Sequence, residues 1–262
     1  MNTVPIPKPL EDFLARYPRY RSLLGVVPSD VILRIVVPKA PRFESLVRES
    51  SGVIPRVNLA DVFGEAAEQG EIVLRRFLGE WGNVTVEECA KLALIVRAHA
   101  PMRLLEVGTF NGMTTLQLAI NAPPGGVVYT IDLGELDAPA HEMDEIDALV
   151  FQRARRAAEP GAYFADIPGL PIVQLRGDSA RFDFAGVIGD SVDFIFIDGG
   201  HSYAQVKADT ERLLPLLSDR GVLLWHNYHD LTCPDVTAYL LDLARTLALV
   251  QLRNTNLVCY RR

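Results

Sequence analysis

Cysteine is scarce in this chain: Cys89, Cys233 and Cys259 are odd in number and far apart. That excludes a disulfide framework and the paired spacing of a zinc ribbon, and leads us to expect a reduced, cytoplasmic protein. Cationic charge is short too, with 26 Lys and Arg against 33 Asp and Glu and a formal net charge of -7. A nucleic-acid backbone is therefore not the expected main partner. Long apolar runs are missing; residues 31–37 are few and carry Arg34, far from the roughly 20 apolar residues that a bilayer needs, so no membrane partner is expected. The opening MNTVPIPKPL has neither an apolar core nor a small-residue cleavage site, which argues against a secretory leader. What the chain does have, over 262 residues, is 49% hydrophobic and 23% charged composition, enough for a full core.

Proline gathers near the start, at Pro5, Pro7, Pro9, Pro18, Pro28, Pro38, Pro41 and Pro55, where it breaks every long element. Short apolar pieces such as Val31-Ile32-Leu33 and Val57-Asn58-Leu59 suit packing on a neighbouring surface. Residues 1–80 are expected to form an accessory segment, either a cap or a homodimer interface, and residues 81–262 the main domain. A loosely attached extension explains the composition equally well.

From Thr85 the pattern changes. Thr85 and Glu88 have the spacing of a capping box, and Leu92, Ile95 and Val96 continue with helical period up to Pro101. The run Leu104-Leu105-Glu106-Val107 then reads as a buried strand that opens through Gly108-Thr109-Phe110-Asn111-Gly112 into a helix over residues 113–120. Glycines at such a turn let a ligand approach the backbone at the carboxyl edge of a sheet. A dinucleotide would want G-x-G-x-x-G with no acid beside the pyrophosphate. Here the loop is G-x-x-x-G and follows Glu106, which suits a cationic ligand instead, such as the ammonium and sulfonium of S-adenosylmethionine. A strand-to-helix connection without a ligand accounts for the loop alone equally well.

Further strands repeat the theme. Residues 127–132 end in Asp132, an acid placed to accept two ribose hydroxyls or to cap a helix. Residues 134–170 are long for a crossover, first acidic and then basic, with a helix expected from Met143 to Ala158; they read as a lid or substrate wall, or as a solvated face. Residues 172–176 lead into Asp178-Ser179, a helix cap or an adenine contact. Residues 192–197 deliver Asp198, then Gly199-Gly200-His201. In the helix that follows, Tyr203, Val206, Thr210, Leu213, Leu214 and Leu217 take one face, with Gln205, Asp209 and Arg212 on the other. Residues 222–225 deliver His226-Asn227-Tyr228-His229. A final helix over 235–248 and a hairpin over 250–260 complete the chain. Glu106, Asp132, Asp198 and His226 thus end four strands, and buried strands need no polar residue at one common edge.

Four stretches, EVGTFNG, VYTIDL, GDSARFDF and FIFIDGGHSYAQVKADTERLLPLLSDRGVLLWHNY, together resemble class I S-adenosylmethionine-dependent methyltransferases. The D-G-x-H-x-Y block and later W-H strand look like the small-molecule group related to macrocin O-methyltransferase and cephalosporin hydroxylase. The resemblance covers residues from about 85 to 262. It implies an α/β, doubly wound Rossmann-like fold with a mostly parallel seven-stranded sheet and a C-terminal antiparallel hairpin. It also implies O-methylation of a hydroxyl on a small molecule, a natural product or sugar.

By position, the resemblance gives Glu106, Gly108 and Gly112 to the methionine part of the cofactor, with Thr109, Phe110, Asn111, Thr114 and Leu133 also as cofactor-binding residues. Asp132 would face the ribose, Asp178 and Ser179 the adenine side, and Asp198 the methyl donor. In metal-dependent relatives Asp198 would also hold a divalent metal, with His226 and Asn227 as the next ligands. An acid more often stands where Asn227 does. One carboxylate is few for magnesium, while imidazole suits a transition metal. Of the five histidines, His201, His226 and His229 are expected near the site, and His201 and His226 are the candidates for catalytic base or ligand. Two other readings stay open: a cofactor-binding or scaffold protein without turnover, suggested by Asn227, and a nucleotide-dependent oxidoreductase, disfavoured by Glu106.

Overall fold

The computed structural model describes residues 6–25, 27–77, 82–134, 137–157 and 160–262. Residues 1–5, where the leader was sought, Glu135 of the acidic run and Ala158 at the expected helix end lie outside the described residues.

Its strands are β1 (Arg56–Val57), β2 (Arg103–Val107), β3 (Val127–Asp132), β4 (Ile172–Arg176), β5 (Val192–Ile197), β6 (Leu217–Trp225), β7 (Val250–Leu252) and β8 (Val258–Arg261). They form one eight-stranded sheet in the order β1-β7-β8-β6-β5-β2-β3-β4. Strands β2 to β6 pair in parallel, and β8 runs antiparallel between β6 and β7, the expected hairpin. Register sets the common edge: Val107 lies opposite both Ile131 and Ile197, and Ile197 opposite Trp225. The residues that follow, Gly108, Asp132, Asp198 and His226, therefore emerge side by side. The eighth strand is two residues of the N-terminal segment, held beside β7 as Gln251 N donates to Pro55 O (2.8 Å) and Arg253 N to Val57 O (2.9 Å). The resemblance implied seven strands, and a strand of two residues has no period-2 pattern that would have added the eighth.

Helices cover both faces: α1 (Lys8–Arg16), α2 (Ser29–Val31), α3 (Ala40–Glu49), α4 (Leu59–Phe63), α5 (Glu65–Glu68), α6 (Val86–His99), α7 (Met113–Asn121), α8 (Glu145–Ala157), α9 (Phe184–Ile188), α10 (Tyr203–Leu213) and α11 (Pro234–Leu243). Alternation along β5 divides the core, because successive side chains point to opposite faces. Phe194 and Phe196 pack with Leu92, Ile95 and Leu118. Ile195 and Ile197 pack with Trp225, Val206 and Leu240. Thr85 and Glu88 form the expected capping box at α6. Helix α10 departs from expectation: Gln205 and Asp209 are buried, with Gln205 Nε2 donating to Ser179 Oγ (3.1 Å) and Asp209 Oδ1 (3.0 Å). The β4–α9 loop covers that flank, so a face that reads as solvated is inside. Helix α11 stops at Leu243, before the expected end at Ala248.

The prolines near the start do not keep that segment open. Pro38 and Pro41 occupy first-turn positions of helical pieces, where no hydrogen-bond donor is required, and Ile32–Val36 is a π-helical stretch between α2 and α3. The segment has its own core of Leu10, Leu14, Leu23, Ile32 and Val36, completed by Ile146 of α8 and by Leu231. Ile32 and Leu59, two apolar residues that suggested an exposed interface, are buried within the chain. Among the described residues no helix is long and apolar enough to cross a membrane.

Candidate functional site

A cavity of about 880 Å³ opens at the common strand edge, within the usual range of about 300–1,000 Å³ for small-molecule sites. One wall is the β2–α7 loop. Gly108 has φ +98°, and a Cβ there would lie 2.0 Å from Asp198 O, so only glycine lets β2 and β5 close on each other at this point. Phe110, with φ 47°, donates its N–H to Asp132 Oδ2 (2.7 Å), and Leu133 N donates to Asp132 Oδ1 (2.8 Å). Asp132 thereby fixes the glycine loop while lining the cavity. Burial raises its carboxyl above the ordinary value, and these two N–H groups oppose the shift.

Glu106 lies beneath this wall. It is fully buried, and its Oε2 accepts from Thr115 Oγ1 and, at 2.6 Å, from Thr130 Oγ1. Since Thr130 spends its hydrogen on Glu106, Thr109 Oγ1 donates to Thr130 Oγ1 at 2.8 Å. Glu106 Oε1 has no partner, and burial pushes the carboxyl up to about 8. Thr109, Asn111, Gly112 and Thr114 likewise support the loop and do not line the cavity. Asn111 Oδ1 accepts from Met113 N (3.0 Å), and Gly112, φ +85°, meets the Phe164 ring where a Cβ would be 2.6 Å away. Phe110, Leu133, Asp178 and Ser179 do line it. Asp178 accepts from Ala140 N (2.6 Å) and Ala180 N (2.9 Å), which ties the β3–α8 segment to β4.

The opposite wall holds two histidines, each between carboxylates or amides. His201 Nδ1 is 2.5 Å from Asp147 Oδ1, its backbone N–H donates to Asp147 Oδ2 (2.7 Å), and its Nε2 is 2.9 Å from Asn227 Oδ1. Burial disfavours its charged form, but Asp147 and Asp198 hold its pKa well above the ordinary imidazole value. Neighbouring Cys233 is pushed up to about 12 by burial and is a neutral thiol at pH 7. His226 Nδ1 is 2.9 Å from Asp198 Oδ1 and its Nε2 is 3.3 Å from Glu88 Oε2. Against burial, the two carboxylates raise His226 to about 10. Burial would raise Glu88, yet His226 and the N–H groups of Asn256 and Thr85 bring it to about 2. Asn227 has φ 61°, a left-handed conformation that asparagine tolerates.

His201, His226, Asp198 and Asn227 therefore meet in one cavity wall, whereas His229 does not join them. His229 stacks on Tyr228 at 3.9 Å and its Nε2 is 2.6 Å from Ser50 Oγ. Burial and the nearby Arg56 and Arg19 lower it to about 4. It serves the contact with the N-terminal segment. Two site residues escaped sequence reasoning. Glu88 was accounted for as a helix cap, and Asp147 was one acid in a run of acids.

A magnesium ion does not fit the metal set expected at Asp198, His226 and Asn227. Asp198 is its one carboxylate, where magnesium favours oxygen ligands around an octahedron. Both ring nitrogens of His226 already face carboxylates. Among the described residues, no group of three His, Cys, Asp or Glu side chains is disposed to hold a metal ion.

Residues 105–228 match the family described as a methyltransferase domain. A protein of Sinorhizobium fredii (strain NBRC 101917 / NGR234), y4gI, is 26% identical over 136 residues, 51% of this chain and 14% of that protein. The chain thus spans about a seventh of the length of the curated relative it matches. Among solved structures, the SAH-bound Podospora anserina methyltransferase PaMTH1 is 13% identical, covering 100% of this chain and 98% of that chain with a TM-score of 0.49. The Bacillus cereus O-methyltransferase in complex with SAH is 16% identical, covering 86% and 100% with a TM-score of 0.44. The Streptomyces achromogenes O-methyltransferase TomG in complex with SAM is 18% identical, covering 83% and 96% with a TM-score of 0.43.

Proposed function

We propose that this chain, which carries a methyltransferase domain over residues 105–228, is an S-adenosylmethionine-dependent O-methyltransferase of a small hydroxylated molecule. The observation that carries the reading is the convergence of Gly108, Asp132, Asp198 and a carboxylate-held His201 on one cavity. The cofactor fits the first wall: Gly108 lets β2 and β5 close at the cavity edge, and Asp132 stands at the second strand end, where an acid accepts ribose hydroxyls. When bound, the cofactor supplies an electrophilic methyl group. Asp198 offers negative charge beside a sulfonium.

His201 is the proton acceptor. Asp147 holds its Nδ1 and aims Nε2 into the cavity, where a hydroxyl of the acceptor gives up its proton as its oxygen takes the methyl group. Asn227 faces Nε2 and suits both states of the ring, because its amide oxygen accepts from an imidazolium and its amide nitrogen donates to an imidazole. Positioning two reactants in this way supplies much of the rate in a displacement. The N-terminal segment caps the acceptor side by packing on α8 and Leu231.

Calorimetric titration of S-adenosylmethionine and S-adenosylhomocysteine into the protein and into Asp132→Ala tests the cofactor site. Binding by the parent and loss in the variant are expected. S-adenosylhomocysteine formation across a panel of hydroxylated acceptors then tests turnover. Absence of cofactor binding to the parent would overturn the reading; binding without turnover on any acceptor would favour a scaffold protein.

A further inference from the structure

His226 stands where the related pattern would supply a metal ligand, yet each of its ring nitrogens faces a carboxylate. Nδ1 is 2.9 Å from Asp198 Oδ1, and Nε2 is 3.3 Å from Glu88 Oε2. An ionised carboxylate only accepts, so two such neighbours call for a hydrogen on each ring nitrogen. Both acids are themselves built in. Glu88 is 3% exposed and is held from three further sides: its Oε2 accepts from Thr85 N (2.9 Å) and Thr85 Oγ1 (2.8 Å), and its Oε1 from Asn256 N (2.8 Å). Asp198 follows β5 directly, and its N–H donates to Val107 O at 2.9 Å, so its backbone is tied to β2.

We propose that Glu88, His226 and Asp198 form a metal-free ion-pair bridge, in which a fixed imidazolium takes the place of a divalent cation at this edge of the sheet. Glu88 is then a positioning residue. It carries the N-cap of α6 into the site, fixes the ring of His226, and through it sets the carboxylate that His201 Nε2 approaches at 3.8 Å. His226 keeps a hydrogen on each nitrogen between its two acids, whereas His201 Nε2 faces the Asn227 amide at 2.9 Å, so His201 is the ring that can give up its Nε2 hydrogen and then act as base. This last step rests on the methyltransferase reading; the protonation of His226 and its lack of metal affinity do not.

The test uses the full chain labelled with ¹⁵N-histidine and treated with chelator. At about pH 8, where an unperturbed imidazole is neutral, long-range ¹H–¹⁵N spectra should show a ring with hydrogens on both nitrogens that is distinct from the ring of His201, whose pKa is also raised. That ring should vanish in His226→Asn. Should that variant not fold, the signal is assigned by elimination from His99→Gln, His141→Gln, His201→Asn and His229→Asn. Glu88→Gln should return His226 to a neutral ring with one bare nitrogen. Millimolar Mn²⁺ or Zn²⁺ should give no stoichiometric heat, and Mn²⁺ should leave the His226 resonances unbroadened. A bare nitrogen on His226 in the parent, or one equivalent of metal bound in a manner lost with His226→Asn, would overturn the proposal. Titration of S-adenosylhomocysteine into the same samples is a separate arm: its failure would overturn the methyltransferase reading while the spectra still judge the bridge.

Discussion

Replacing Glu106 by glutamine should change how the stability of this protein depends on pH. The carboxyl is fully buried, one oxygen serves Thr115 and Thr130, and the other has no partner. Burial raises its pKa from 4.5 to about 8. Between those values the folded chain keeps a proton that the unfolded chain has lost, so stability is full below the unfolded value and falls as pH rises through the window. The slope is about 1.4 kcal/mol per pH unit, and across the whole window the loss is of the order of 5 kcal/mol. Glu106→Gln has no such proton to lose and retains an oxygen for the two threonines. Its amide N–H₂, in place of the unpartnered oxygen, costs about 1–3 kcal/mol. The parent should therefore be more stable than the variant at about pH 5, with the order reversing by about pH 8. Urea unfolding followed by tryptophan fluorescence at a series of pH values measures the difference, in which other titrating groups cancel. A difference that stays constant between those pH values would refute the assignment of a buried, protonated Glu106.

The remaining expectations concern the two walls. Asp147 holds His201 above the ordinary imidazole value, so kcat/KM should climb with pH on a limb above 6.5. Asp147→Asn should move that limb to lower pH and reduce the plateau by roughly 10²-fold, in a pH–rate profile, with S-adenosylhomocysteine affinity unchanged. Gly108→Ala places a Cβ at 2.0 Å from Asp198 O on a backbone with φ +98°; calorimetry should find cofactor binding abolished, and unfolding should find a loss of at least about 2 kcal/mol. Lys39 Nζ reaches Asp144 Oδ1 at 2.6 Å and Thr232 O at 2.9 Å, with side-chain exposures of 15% and 21% for the ion pair. Lys39→Met should cost about 1–3 kcal/mol in urea unfolding and raise the acceptor KM more than it lowers cofactor affinity.

The sheet and the glycine-loop wall were legible because their signals are local. Apolar runs ending in Glu106, Asp132, Asp198 and His226 announce strands and a common edge, and parallel pairing then places those ends together. Glu106 also marks the limit of such reading. Its position in the motif is right for a cofactor loop, but its side chain turns under the loop to Thr115 and Thr130, and no spacing rule distinguishes a residue facing a ligand from one supporting the residues that do. Gln205 and Asp209 were misplaced for a related reason: helical period assigns one face to the sheet, while the β4–α9 loop buries a second flank that the period cannot see.

The histidine wall was illegible because it is made of contacts between distant segments. Asp147 meets His201 across 54 residues, and in sequence nothing separates it from the solvated acids around it. Glu88 had a sufficient local explanation as a cap, so its second partner, His226, left no trace. Lys39 binds Asp144, three residues before Asp147, and also the carbonyl of Thr232, in the loop that follows His226 and Asn227. None of the described residues of the N-terminal segment lines the cavity, yet the segment holds together two elements that do. Pro9, Pro38 and Pro41, placed in first turns, keep its helical pieces short. Divergence around Lys39 would therefore shift the distance between Asp147 and His201, whereas divergence around Val73 and Arg75, which bind Asn121 and Gln117 of α7, would reach the helix that the glycine loop opens into.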